Sequence, residues 1–224
     1  MKKEIIVTGD GSHSIAIPEM DVTYHSSHGA IQESMHVFIQ SGLRYFPADK
    51  KQENISILEM GFGTGLNALL TIAEAGKNQQ KIYYESIELY PLEPNVYTLL
   101  NYCEELQRPD LEPLFTLIHE CAWNTTVEIA PWFNFKKNQI SLADFSTKRL
   151  FDIVYFDAFA PGVQPDLWTA AVFKKLFALM NTNAVLTTYC SKSIVRKAMT
   201  EAGFVIVKIP GPPHKREMVR AIKE

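Results

Sequence analysis

The sequence predicts an α/β fold with a mostly parallel sheet and an antiparallel pair of strands at its end. Short apolar runs, such as residues 55–60 and 151–156, alternate along the chain with stretches of helical periodicity. Runs that are apolar throughout are typical of strands buried on both faces by helices, as in parallel sheets. The last two predicted strands are joined only by residues 211–216, a connection too short for a parallel crossover.

The composition fits a globular protein and excludes several classes. Of 224 residues, 46% are hydrophobic and 21% are charged, which allows a substantial core and excludes bulk disorder. The net charge of −3 argues against a protein that coats nucleic acid by charge alone, but it leaves a local basic patch open. The three cysteines show no metal-ligand or disulfide spacing, and no targeting or membrane-spanning run is apparent. We therefore expect a cytoplasmic protein without a metal.

The first part of the chain reads as an extension. Residues 3–8 and 14–17 predict a hairpin, and residues 29–46 carry apolar side chains at helical spacing. We expect residues 1–50 to pack over the ligand site and residues 51–224 to form the main domain.

The main domain reads as alternating strands and helices. Strands are predicted at 55–60, 81–89, 151–156, 184–189, 204–209 and 217–222, and helices at 66–75, 94–106, 111–122, 165–180 and 193–202. A further hairpin is predicted from 127–135 and 139–142, turning at Lys136-Lys137-Asn138. The result is a Rossmann-like, seven-stranded sheet with an antiparallel C-terminal hairpin, the arrangement of class I methyltransferases.

A glycine-rich loop joins the first main strand to its helix. Gly61, Gly63 and Gly65 follow a G-x-G-x-G spacing, and Glu59 stands two positions before the first glycine. Glycines let the backbone turn tightly and approach a ligand closely. Because the acid would repel a pyrophosphate, the loop favours an amine-bearing ligand such as S-adenosylmethionine over a dinucleotide.

Acidic residues end two later predicted strands. Glu88 is placed to accept hydrogen bonds from ribose hydroxyls, and Asp144 from an adenine amino group. The alternative is that Glu59, Glu88 and Asp144 are ordinary strand-end charges.

Asp157 follows the strand at 151–156 and precedes Phe159 and Trp168. A carboxylate beside aromatic residues suits N-methyl transfer, because an alkyl amine must lose a proton before it attacks a methyl group. Phe159 and Trp168 would wall the site by stacking. Alternatively, Asp157 caps the next segment and Trp168 belongs to the core.

Three stretches of the chain resemble a known family. The stretches LEMGFGTGLNALL (58–70), FDAFAPGVQPDLWT (156–169) and AGFVIVKIPGPPHKREMVRA (202–221) are similar to the methyltransferase part of the MnmC family. The resemblance implies a class I fold, S-adenosyl-L-methionine as cofactor, and N-methylation of 5-aminomethyl(-2-thio)uridine at the tRNA wobble position. Since the family's flavin-dependent oxidase part does not follow in this sequence, we expect a separate protein to supply the aminomethyl precursor.

The resemblance also implies roles for particular residues. Asp157 would be the catalytic carboxylate, Lys215 and Arg216 would contact the anticodon loop of tRNA, and Phe159 and Trp168 would lie beside the substrate. The residues implied for cofactor binding are Glu59, Gly61, Gly63, Gly65, Glu88, Asp144, Tyr24 and Glu33. Two alternatives stay open: a methyltransferase of the same fold that acts on another amine, in a small molecule or a protein, and a non-catalytic binding module.

Overall fold

The computed structural model describes residues 2–46 and 54–224 of the chain. The boundary predicted between residues 50 and 51 lies outside the described residues. None of the helices within these two ranges combines the length and the apolar character needed to cross a membrane.

Strands and short helices alternate through most of the chain. The strands are β1 (Glu4–Val7), β2 (His13–Ile17), β3 (Val22–Thr23), β4 (Asn54–Met60), β5 (Lys81–Glu88), β6 (Thr126–Ala130), β7 (Phe133–Gln139), β8 (Phe151–Phe156), β9 (Met180–Thr188), β10 (Val205–Pro210) and β11 (Glu217–Ile222). The helices are α1 (Ala30–Ser34), which continues as a π-helix (Met35–Leu43), α2 (Leu66–Gly76), α3 (Pro94–Tyr97), α4 (Tyr102–Glu105), α5 (Glu112–Glu120), α6 (Ala170–Ala178) and α7 (Ser193–Glu201).

The main sheet has eight strands in the order β10-β11-β9-β8-β4-β5-β7-β6. Strands β4, β5, β7, β8 and β9 pair in parallel, whereas β10 and β11 form the predicted antiparallel pair. The prediction of a mostly parallel sheet is confirmed, but the sheet has eight strands where seven were predicted, with β6 pairing antiparallel with β7 at the edge.

Helices cover both faces of the sheet, as the apolar strands require. All six residues of β8 are buried. Successive strand side chains point to opposite faces, so Tyr155 packs on Phe38 of the π-helix while Phe156 packs on Phe173 of α6. A strand apolar on both faces can therefore occupy the centre of the sheet.

The parallel arrangement brings several loops to one edge of the sheet. Strand β4 lies between β5 and β8, with Met60 in register with Ile87 and Phe156. The residues that follow these strands therefore lie side by side at the carboxyl edge, where ligands bind in open α/β sheets.

The predicted hairpin is present as β6 and β7, but its turn, predicted at Lys136-Lys137-Asn138, is wrong. These residues lie inside β7, and the turn that joins β6 to β7 is at Pro131 and Trp132. Lys137 and Asn138 are buried, and their side chains have internal partners, the His119 carbonyl and the Glu85 carboxylate. Polar residues with partners inside the protein resemble a turn when only the sequence is considered.

The predicted helix at 94–106 is divided into α3 and α4. Asn101 lies in the gap, where its side chain accepts from the His13 amide at 2.7 Å and donates to the Gly11 carbonyl at 3.0 Å. Asparagine side chains compete with helical hydrogen bonding in this way. The interruption ties the N-terminal sheet, β1-β2-β3, to the main domain.

The predicted helix at 165–180 is also shortened. Pro165–Trp168 form a 3₁₀ turn, and α6 begins after Thr169, whose hydroxyl accepts from the Val172 amide. Helix α6 also ends before the predicted end at residue 180, because Met180 is the first residue of β9.

Candidate active site

A cavity of about 690 Å³ opens at the carboxyl edge of the sheet. Its lining includes Gly61, Gly63, Glu88 and Asp157. Residues 21–26 of the N-terminal extension and residues 158–160 and 163–167 after β8 form its walls, together with Glu33, Tyr189 and Lys215.

The glycine loop turns sharply where β4 ends. Gly61 has φ of +92° and Gly63 has φ of +50°, values that side-chain-bearing residues rarely adopt. A Cβ on Gly61 would lie 2.8 Å from the Asp157 carbonyl oxygen, and one on Gly63 would lie 3.3 Å from the Tyr24 ring. The glycines therefore allow the loop to pass between Asp157 and Tyr24 with its backbone facing the cavity.

Glu88 lies at the end of β5 beside this loop. Its carboxylate accepts from the Gly63 amide at 3.0 Å and from the Tyr90 amide at 2.7 Å. These contacts fix the Glu88 carboxylate in one position on the cavity wall. A carboxylate that accepts hydrogen bonds from two adjacent hydroxyls must be fixed in this way.

Asp157 follows β8 and lies at the bottom of the cavity. Its Oδ2 accepts from the Asn67 side chain at 2.9 Å. Burial, opposed by the Asn67 hydrogen bond, raises the pKa of the Asp157 carboxyl to about 7. A carboxylate with a pKa near neutrality is suited to exchange protons with a bound amine.

Tyr24 and Phe159 both line the cavity and pack against each other, with their ring centroids 5.2 Å apart in an edge-to-face arrangement. Glu33 of α1 and Lys215 of the β10–β11 loop form an ion pair at 2.5 Å, and the Lys215 ammonium also lies 4.5 Å from the Tyr189 ring centroid. The N-terminal extension and the C-terminal loop thus meet over the site.

Glu59 is fully buried and does not line the cavity. Its Oε2 accepts from the Ser86 hydroxyl at 2.7 Å, and its Oε1 has no partner among the described residues. Burial raises the pKa of Glu59 to about 8. The structure therefore places this acid beneath the glycine loop and outside the cavity lining.

Asp144 and Trp168 also lie off the cavity wall. Strand β7 ends at Gln139, earlier than predicted, and exposed Asp144 accepts from the Ser141 hydroxyl at 2.6 Å, so Ser141 lines the cavity in its place. Trp168 is buried, packs on Phe156 and donates to the Phe159 carbonyl at 2.8 Å, in agreement with the alternative interpretation of Trp168 as core.

Gly65 and Arg216 likewise lie outside this cavity. Gly65 faces His119, and a Cβ on it would lie 2.9 Å from Nε2 of that ring. Arg216 lines a neighbouring cavity.

Some site residues were missed by the sequence analysis. Asn67 orients Asp157, and Tyr189 lines the cavity and donates to the Ala158 carbonyl at 2.8 Å. A polar residue in the first turn of α2, on a helix otherwise buried, is a signal that would have pointed to Asn67. Nothing in the sequence pattern singles out Tyr189.

Comparison with known proteins shows which family the chain belongs to. A family of S-adenosyl-L-methionine-dependent methyltransferases matches residues 115–224, a range that includes Asp157 and Lys215. The chain belongs to the S-adenosyl-L-methionine-dependent methyltransferases. The glycine loop of this methyltransferase precedes the matched range.

Relatives of this methyltransferase share most of its length. The "tRNA 5-methylaminomethyl-2-thiouridine biosynthesis bifunctional protein MnmC" of Ralstonia nicotianae is 31% identical over 214 residues, which are 90% of this chain and 32% of that protein. The protein of the same name from Paraburkholderia xenovorans is 28% identical over 215 residues, again 90% and 32%. The chain thus spans about a third of the length of these curated relatives.

Solved structures share the fold of this methyltransferase. MnmC2 from Aquifex aeolicus aligns with a TM-score of 0.77 at 23% identity, covering 98% of this chain and 70% of that one. Spermidine synthase from Thermotoga maritima aligns with a TM-score of 0.60 at 10% identity, covering 99% and 68%. At these sequence identities the similarities show a shared fold alone.

The residues of this methyltransferase fit its cofactor. Gly61 and Gly63 line the cavity, and a Cβ on either would crowd the neighbouring Asp157 carbonyl or Tyr24 ring. Without these side chains, a ligand can approach the backbone of the loop closely. Glu88, the acceptor on the wall, lies next to that loop. Gly61, Gly63 and Glu88 would hold S-adenosyl-L-methionine, which supplies an electrophilic methyl group.

Proposed function

We propose that this methyltransferase methylates the primary amine of 5-aminomethyl(-2-thio)uridine at the wobble position of tRNA, which gives 5-methylaminomethyl(-2-thio)uridine. The observation that carries the proposal is the position of Asp157. It is a carboxyl with a pKa of about 7 at the bottom of a cavity walled by Tyr24 and Phe159. The names of the MnmC relatives support the same substrate.

The reaction requires an unprotonated amine. An alkyl amine is mostly protonated at neutral pH and has no lone pair available for attack. In the proposed mechanism the Asp157 carboxylate accepts a proton from the ammonium of the substrate, and the freed nitrogen becomes the nucleophile. The hydrogen bond from Asn67 keeps one carboxylate oxygen fixed during this transfer.

The aromatic walls suit a base as the group that carries the amine. Nucleobases in single-stranded loops can leave the stack and pack on aromatic side chains. Tyr24 and Phe159 provide such surfaces, and Trp168 supports Phe159 from the protein interior. In this arrangement the walls hold the uracil ring while Asp157 faces its aminomethyl group.

The predicted roles of the remaining residues stay part of the proposal. Tyr24 and Glu33 would close over the cofactor, and Lys215 and Arg216 would contact the anticodon loop. Because methyl transfer consumes an existing amine, another activity must install that amine first, and we propose a separate protein as its source. A reaction on tRNA implies a cytoplasmic location.

The proposed function is tested by mass spectrometry of nucleosides. The purified protein is incubated with S-adenosyl-L-methionine and tRNA that carries 5-aminomethyl-2-thiouridine, and the tRNA is then digested. A gain of one methyl group on that nucleoside, absent with Asp157→Asn, is the expected result. A protein that binds the cofactor but leaves this nucleoside unchanged would refute the tRNA substrate and favour a different amine acceptor.

A further inference from the structure

A second cavity, of about 510 Å³, adjoins the catalytic one. Ala160, Tyr189 and Lys215 line both cavities, so the two share a wall. A chain-like substrate that places one unit in the first cavity therefore has a neighbouring space for the next unit.

The second cavity is strongly basic although the whole chain has a net charge of −3. Its lining contains the cations Lys192, Lys208, Lys215 and Arg216 and one acid, Glu217. Such a local excess of positive charge in a mildly acidic protein indicates an anionic ligand at this place.

Two of these cations are available to a ligand. Lys208 pairs with Glu217 at 2.9 Å, and Lys215 pairs with Glu33. Lys192 and Arg216 form no ion pair within residues 2–46 and 54–224, and both are exposed. Arg196 and Lys197 on the adjacent helix α7 extend the basic surface beyond the cavity.

Three basic side chains elsewhere in the protein, those of Lys136, Lys137 and Arg149, already have partners. Lys136 pairs with buried Glu85 at 3.0 Å, Lys137 is buried against the His119 carbonyl, and the Arg149 guanidinium lies 3.6 Å from the Tyr83 ring centroid. These three side chains thus already contact other groups of the protein, whereas Lys192 and Arg216 form no ion pair among the described residues.

We propose that the second cavity binds a backbone phosphate of the RNA next to the nucleotide that enters the catalytic cavity, with Lys192 and Arg216 as its ligands. The inference rests on the proposed function. Arginine and lysine side chains hold phosphate oxygens and position the nucleic acid without reading its sequence. The site thereby selects an amine carried on a polynucleotide over the same amine on a free nucleoside.

The test compares two substrates: an anticodon stem-loop RNA with 5-aminomethyl-2-thiouridine at the wobble position, and the free nucleoside. Lys192→Ala and Arg216→Ala are each expected to lower the preference in kcat/KM for RNA over nucleoside about tenfold. Each should also reduce the slope of log affinity against log salt for RNA by about one. Lys81→Ala, at the opposite end of β5 from Glu88, is the matched control and should keep both properties.

Fluorescence anisotropy with the same RNA separates this proposal from the proposed function. If the wild-type protein methylates neither substrate, the function fails, and RNA binding still decides the second cavity. Salt-dependent binding that Lys192→Ala and Arg216→Ala weaken would support the phosphate site. Equal RNA affinity in these variants and in Lys81→Ala would overturn it, as would a wild-type protein that does not bind the RNA.

Discussion

Glu33 and Lys215 lie 182 positions apart in the sequence, and their side chains form a 2.5 Å ion pair beside Asp157. Both charges act on the catalytic carboxyl. After burial and the Asn67 hydrogen bond, Glu33 raises the pKa of Asp157 and Lys215 lowers it. The contact between the N-terminal extension and the C-terminal loop therefore helps to set the pH range in which Asp157 can accept a proton.

Neutralising either partner should shift the pH dependence of turnover, in opposite directions. Glu33→Gln removes a negative charge and should lower the pKa of Asp157, which moves the acid limb of the kcat profile to lower pH. Lys215→Met removes a positive charge and should move it to higher pH. The measurement is kcat against pH for both variants at saturating substrate.

The double variant Glu33→Gln/Lys215→Met is the control, and its profile should return towards that of the wild type. Shifts of the same sign in both single variants would contradict a direct electrostatic effect on Asp157. They would instead indicate that the ion pair acts through the structure of the site.

Asp157→Asn keeps the shape of the side chain and removes the proton acceptor. Since general base catalysis typically contributes a factor of about 10² to 10⁴, we expect a loss of kcat in that range. Cofactor affinity measured by calorimetry should change little, because the carboxylate is assigned to the amine. A variant with normal turnover would exclude Asp157 as the base.

The wild-type kcat should rise with pH through about 7, the pKa to which burial raises the Asp157 carboxyl. The sign follows from the mechanism, since only the deprotonated carboxylate accepts a proton and its fraction grows above the pKa. Measuring kcat in a set of overlapping buffers tests this prediction. A kcat that falls across this range would be inconsistent with the proposed role.

His119 supports the glycine loop from behind. Its Nε2 lies 3.1 Å from the Thr64 carbonyl, and its ring stacks on Tyr97 with centroids 4.2 Å apart. Burial lowers the pKa of His119 to about 3, so the ring is neutral and Nε2 donates to the carbonyl. His119→Phe keeps the stacking and removes the donor.

We expect His119→Phe to raise the KM for S-adenosyl-L-methionine by about two- to tenfold, with little change in kcat. This factor corresponds to the net free energy of one hydrogen bond. His13→Phe is the matched control, because His13 also contacts a backbone carbonyl, that of Leu99, but away from the loop. An equal change in both variants would show that the effect is not specific to the glycine loop.

Glu59 should make the folded protein less stable as pH rises. Burial raises its pKa from 4.5 to about 8, so the folded state keeps a proton that the unfolded chain releases between these values. The contribution to stability is complete below pH 4.5 and declines as pH rises through about 8. Glu59→Gln should flatten this decline in urea unfolding followed across the range, whereas exposed Glu104→Gln should leave it as in the wild type.

Features that depend on local chemistry were predictable from the sequence. The continuous apolar character of residues 151–156 predicts a central strand, because only a strand buried on both faces needs apolar residues at every position. The G-x-G-x-G spacing predicts the turn at Gly61 and Gly63, because such backbone angles favour glycine. The position of Asp157 directly after a strand predicts its place at the carboxyl edge.

Features that depend on long-range contacts required the tertiary structure. The turn at Pro131 was missed because Lys137 and Asn138 obtain partners from distant parts of the chain. Glu59 and Trp168 look like site residues in sequence, and only packing shows that they lie beneath the cavity wall.

By itself the sequence determined the mostly parallel α/β sheet, the glycine loop and the edge at which Asp157 lies, since each follows from periodicity or from local backbone preferences. The tertiary structure alone decided that Glu33 and Lys215 meet, that Asn67 orients Asp157, and that a basic cavity adjoins the catalytic one. The physical reason is that charge pairing and burial act between residues close in space, whatever their separation along the chain.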